Sequence, residues 1–147
     1  MRGFAFVAFA ACAHAPVQPI APAAKIVLVT LPAESDAFPQ VAKAATTAVS
    51  GAKPVGVDET LASKVSIEVV QLSIECVDAT TACYEAAAKS LGASKLIFAS
   101  IDSEGRKPKV AVTMFDLGKE PRTAEKTFDS EAAAVAGVAG LVAEATR

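Results

Sequence analysis

The chain has 147 residues, enough for one domain with a buried core and too few for two full ones. Its 14 basic and 16 acidic side chains give a formal net charge of −2, and neither sign gathers into a block, so a polybasic arm for nucleic acid or anionic lipid is excluded. Trp is absent and Tyr84 is the only tyrosine, which leaves few stacking platforms for sugars or single-stranded bases.

The first residues read as an address. Arg2 supplies a small positive region, and Gly3 to Ala11 form an uncharged apolar run of signal-peptide length, short of the about 20 residues a membrane-spanning helix needs. Cys12 follows at once. The step Phe9-Ala10-Ala11-Cys12 resembles the cleavage box of bacterial lipoproteins, in which the cysteine receives lipid and becomes the mature N-terminus. Residues 1–12 are therefore read as a signal peptide with a lipid-accepting Cys12. Ordinary cleavage after Ala13 or Ala15, or an uncleaved buried segment, stay open as alternatives. Two acyl chains would hold the protein to a membrane, each buried methylene contributing about 0.8 kcal/mol. Ala13 lacks the aspartate associated with inner-membrane retention, so the expected address is the periplasm, anchored at the outer membrane. Residues 13–24 carry Pro16, Pro19 and Pro22 and read as a semi-rigid tether of about 3 Å per residue.

Residues 25–147 are expected to form one α/β domain. Lys25 to Leu31 is a β-branched apolar run closed by Pro32, the pattern of a strand buried on both faces. Phe38, Val41, Ala45 and Val49 then recur at helical spacing, with Asp36 as a start and Gly51 as a stop. Lys53 to Val57 reads as a short edge strand, where Pro54 is tolerated. Over residues 58–76, Leu61, Val65, Val69, Leu72 and Cys76 fit a helical stripe while Lys64 to Val70 alternates at period two; helix is the preferred reading. Asp78 or Thr80 can cap a helix over residues 79–91, which Gly92 ends in the left-handed conformation.

Lys95 to Ile101 is a second strong strand. Pro108 to Leu117 follows as another, with Val110, Val112 and Met114 on one face, and Thr123 to Phe128 is a thinner, more polar edge strand. Ser130 caps a last helix whose apolar side holds Val135, Val138, Leu141, Val142 and Ala145; Gly137 and Gly140 allow close approach to a sheet. The order β-α-(β)-α-α-β-β-β-α implies an α/β fold with a mixed four- to five-stranded sheet and helices packed on it. The strands at residues 25–31 and 95–101 should pair in parallel across the helical crossover.

The chemistry these residues offer is limited. His14 is the only histidine and lies in the tether, so a Cys-His or Ser-His-Asp arrangement has no imidazole within the fold. Cys76 and Cys83 have neither Cys-x-x-Cys spacing nor a second pair, so no metal or cofactor is expected. Carboxylates pair along the chain at Glu68 with Glu75, Asp102 with Glu104, and Asp116 with Glu120, the last two at turns where acidic residues are common. In an exported chain, with Cys12 assigned to lipid, Cys76 and Cys83 form an even pair and are read as a disulfide staple. Free core thiols or a redox pair are the alternatives.

The segment from Cys76 to Ile101 carries a cysteine-containing turn, a helix ending in Leu91-Gly92-Ala93 and a strand, followed by the alternating strand Val110 to Phe115 closed by Asp116. With the strand at residues 25–31 it resembles the amino-terminal domain of TolB and the related curli-secretion, flagellar outer-membrane and penicillin-binding-protein-activator lipoproteins. The resemblance covers residues 25–130 and rests on structural motifs. It implies a non-catalytic, periplasm-facing domain that binds another envelope protein, with neither propeller nor pore-forming activity. The expected contacts are the edge strand carrying Arg122, Glu125 and Phe128, by strand addition, and the loop around Cys76 and Cys83. A thiol-active protein or a small-ligand carrier with a pocket between sheet and helices are the rival functions.

Overall fold

The computed structural model describes residues 23–147. The leader, Cys12, His14 and all but the last two residues of the tether lie outside the described residues. Five strands and four helices alternate as β1 (Val27–Thr30), α1 (Pro39–Ser50), β2 (Glu59–Ala62), α2 (Ile67–Ser73), α3 (Thr81–Ser90), β3 (Lys95–Glu104), β4 (Lys107–Asp116), β5 (Arg122–Thr127) and α4 (Glu131–Ala145). They build one mixed sheet in the order β2-β1-β3-β4-β5. The α/β class and the sheet size expected from the sequence are both observed.

β1 is β-branched or apolar along its length because it lies inside the sheet with side chains going to both layers. Leu28 joins the cluster beneath α1 and α4, and Val29 joins the one beneath α2 and α3. It pairs in parallel with β3, Leu28 facing Lys95 and Thr30 facing Ile97, and in parallel with β2 on its other side. Helix α1 starts at Pro39 rather than Asp36, since proline's missing N–H costs nothing in the first turn. Its buried residues are Val41, Ala42, Ala45 and Val49, the stripe that the spacing marks.

Residues 53–76 depart from the sequence reading. Lys53 to Val57 is not a strand: Val55 is 96% exposed and Gly56 turns the chain at φ +76. Pro54 has no N–H to pair, and Gly56 supplies a conformation that strands do not use. The edge strand comes later, at Glu59–Ala62, all four residues exposed. Helix α2 starts only after Ser66, and it buries Ile67, Val70 and Gln71. The stripe at Leu61, Val65, Val69 and Leu72 is instead the exposed side. The segment has two apolar faces, and packing under the sheet selects the one with Ile67 and Val70.

Thr80 caps α3, its hydroxyl accepting the Cys83 N–H at 3.3 Å, and Gly92 ends it at φ +63. β3, β4 and β5 form an antiparallel meander in register from Lys95 opposite Asp116 to Met114 opposite Arg122. Ser130 caps α4 by accepting the Ala133 N–H at 3.1 Å. One core layer lies between the sheet and α1 with α4 and holds Ile97, Val110, Val112, Met114 and Val138. The other lies under α2 and α3 and holds Leu31, Leu96, Phe98 and Phe115, with the Tyr84 ring 5.3 Å from Phe98 and 6.0 Å from Phe115.

Candidate functional site: the disulfide loop and the two open sheet edges

The loop from α2 to α3 is built by short-range bonds. The Cys76 N–H donates to the Gln71 carbonyl at 2.9 Å, and the Thr80 N–H donates to the Asp78 carbonyl at 2.9 Å. Glu75 takes φ 55, a left-handed conformation uncommon outside glycine, to turn the chain out of α2. The buried Gln71 amide donates to the Asp78 carbonyl at 3.3 Å and lies 3.4 Å from Cys83 Sγ. A disulfide joins Cys76 to Cys83, with their Cα atoms 5.6 Å apart. Cys83 is 0% exposed. A sulfur with no access to solvent is poorly placed for thiol exchange.

The start of α3 and the β4–β5 turn are tied together at Thr81, whose hydroxyl donates to Glu120 Oε2 at 2.6 Å. Tyr84 follows Cys83 directly. Burial first, and the negative charge of Glu68 second, push its phenol above the ordinary pKa of 10.0.

The β5 edge places its three expected contact residues differently. Glu125 is exposed and pairs with Lys109 at 3.2 Å. Arg122 is exposed, lies 3.6 Å from Asp116 and donates to the Arg147 carbonyl. Phe128 is only 6% exposed, with its ring turned under α4, so its side chain is a core element. An apolar side chain at the end of a half-buried strand completes the layer beneath the next helix. Along β5 the exposed charges of Arg122, Glu125 and Lys126 guard the edge against casual pairing.

The other edge is of a different kind. β2 has β1 on one side and, among the described residues, no strand on the other. Beside it, Leu61 is 46% exposed and Leu72 65%, and Val65, Val69 and Val77 are also exposed. The sequence pattern marks this stripe as helical, but the strand β2 ends at Ala62 and the helix starts only after Ser66. Glu68, Gln71, Leu72 and Val77 line a ≈ 210 Å³ pocket over α2. A second cavity, a ≈ 460 Å³ groove, lies between α1 and α4 along Lys43, Ala44, Val135 and Ala139, outside the helix layer. A carrier's pocket would be expected between sheet and helices. No group of three or more metal-ligating side chains occurs among the described residues, and no helix among them is long and apolar enough to cross a membrane.

No protein-family model and no curated protein matches the chain. Among solved structures it is similar to the LpoB C-terminal domain from Salmonella enterica, at 11% identity and a TM-score of 0.42, over 73% of this chain and 84% of that one.

Proposed function

We propose that the protein is an exported, non-catalytic envelope protein whose α/β domain binds another envelope protein. The observation that carries this reading is the Cys76–Cys83 link, which staples an exposed loop while keeping Cys83 out of solvent. Disulfides persist in oxidising compartments outside the cytosol, and a staple with an inaccessible sulfur serves shape better than redox exchange. On this reading Cys12 carries the lipid, residues 13–24 span from the outer membrane to the domain, and the surfaces open to a partner are the disulfide loop and the sheet edges.

The test is in-cell crosslinking of the full chain followed by isolation of the membrane fraction. One discrete envelope protein, recovered with the chain and lost when Cys12 is replaced by Ser, supports the proposal. Recovery of the chain in the cytosol, with both domain thiols free, contradicts it.

A further inference from the structure

Helix α2 is the least supported helix of the fold. It has seven residues against ten to fifteen in the others, and a helix that short is not stable by itself. Thr80 and Ser130 cap α3 and α4 through their hydroxyls, whereas Ser66 makes no capping bond and its hydroxyl is buried without a partner. Glu75 leaves α2 at φ 55, a left-handed conformation unfavourable for a residue with a β-carbon. Ile67, Val70 and Ile74 turn inward to the layer that holds Tyr84, Leu96 and Phe98. Val69, Leu72 and Val77 stay exposed and gain nothing from that closure.

The ties that hold this segment converge at its far end. The Gln71 amide donates to the Asp78 carbonyl at 3.3 Å and lies 3.4 Å from Cys83 Sγ. The disulfide then joins Cys76, just past α2, to Cys83, which is 0% exposed and sits in the first turn of α3. The weakest segment is thus anchored to a fixed point. The bond acts mainly on the open state. With it in place, chain leaving the layer must stay within one disulfide of α3; without it, residues 64–79 become a free connection between β2 and α3. The closed state keeps its apolar contacts either way.

We infer that residues 64–79 form a strap that opens separately from the rest of the domain, and that the Cys76–Cys83 bond is the latch that keeps it closed. Opening withdraws Ile67, Val70 and Ile74 and exposes the layer around Tyr84 and Phe98, while β3, β4, β5, α1 and α4 stay folded. The inference goes beyond the adaptor reading and holds whatever the domain binds. Reduction by a dithiol releases the latch: the reagent gives up two electrons and two protons, becoming a disulfide, and Cys76 and Cys83 become thiols.

The test is native-state hydrogen exchange of the full chain in low urea, followed by NMR, with oxidised and reduced protein compared. Amides of α2 exchange through an opening that urea barely promotes, ahead of the amides of β3, β4 and α4, whose exchange follows global unfolding. Reduction speeds α2 exchange by about 70-fold, the factor the chain entropy of so short a loop allows. Ser66→Ala, which removes the unpartnered buried hydroxyl, slows it by about five-fold. In reduced protein the Cys83 thiol is alkylated at a rate that low urea does not alter. One free energy and one urea dependence shared by α2 and β4 amides, or α2 exchange unmoved by reduction, overturns the inference. So does a Cys83 thiol alkylated only as fast as the whole domain unfolds.

Discussion

The ring of Phe128 packs against the bare Cα of Gly137: a β-carbon there would stand 2.8 Å from Cζ and overlap Cε1. Helix α4 sits at its observed height over β5 because one residue lacks a side chain. Alanine returns about 1 kcal/mol of helix propensity over glycine, whereas overpacking a filled core costs about 1–3 kcal/mol. Phe128 is 6% exposed and has little room to swing, so the cost prevails and Gly137→Ala lowers Tm. Gly140, with nothing within 4 Å of its would-be β-carbon, is the control. Gly140→Ala raises Tm by about 2–4 °C. Thermal unfolding followed by circular dichroism reads both, and equal shifts in the two variants would contradict the packing described.

The Cys76–Cys83 link closes a short loop, with a sequence separation of 7. Chain entropy assigns such a loop about 2.5 kcal/mol. Reducing it, or replacing both cysteines by Ser, should lower unfolding free energy by about that amount in urea titrations. Cys83→Ser alone costs more than Cys76→Ser alone, because it places a hydroxyl at a 0% exposed position.

Tyr84 gives a pH signature that no other residue can mask, being the only tyrosine. Burial and Glu68 hold its folded pKa above 10.0, so folding opposes ionisation. The stability this contributes is complete below the unfolded phenol's pKa and is lost as pH rises through the folded value. Phenolate absorbance should therefore appear at higher pH in the native protein than in urea. Glu68→Gln, which removes the second cause, should bring the native titration part of the way back.

Part of this fold is legible in the sequence because the residues concerned agree at every level. Val27 to Thr30 are β-branched or apolar on both faces and lie inside the sheet; Thr80, Ser130 and Gly92 mark helix ends by chemistry that works locally. β2 is not legible, because four residues exposed on every side carry no period. The α2 stripe is legible as apolar but not as outward-facing. Ile67 with Val70 and Val69 with Leu72 are rival faces of one helix, and only the layer above β1 distinguishes them. The burial of Phe128 is not legible either, because the helix that follows the edge strand folds back and covers the ring.

Asp116 gathers three cations at the end of β4. Lys95 bonds it directly, Lys119 lies at 3.8 Å and Arg122 at 3.6 Å. The Lys95 and Asp116 side chains are 16% and 12% exposed, so screening by water is limited. Asp116→Ala leaves Lys95 partly buried without its partner and should cost about 2 kcal/mol, measured by chemical denaturation. Lys95→Met should cost less, since it keeps the apolar stem and removes the charge.

The compartment in which the protein matures decides the fate of its cysteines, and intact mass spectrometry reads that directly. Protein isolated from its native cell is alkylated before and after reduction. The predicted result is a species starting at a lipid-modified Cys12, whose Cys76 and Cys83 accept alkyl groups only after reduction. A chain that begins at Met1 with both domain thiols alkylated at once would contradict export, the staple and the adaptor role together.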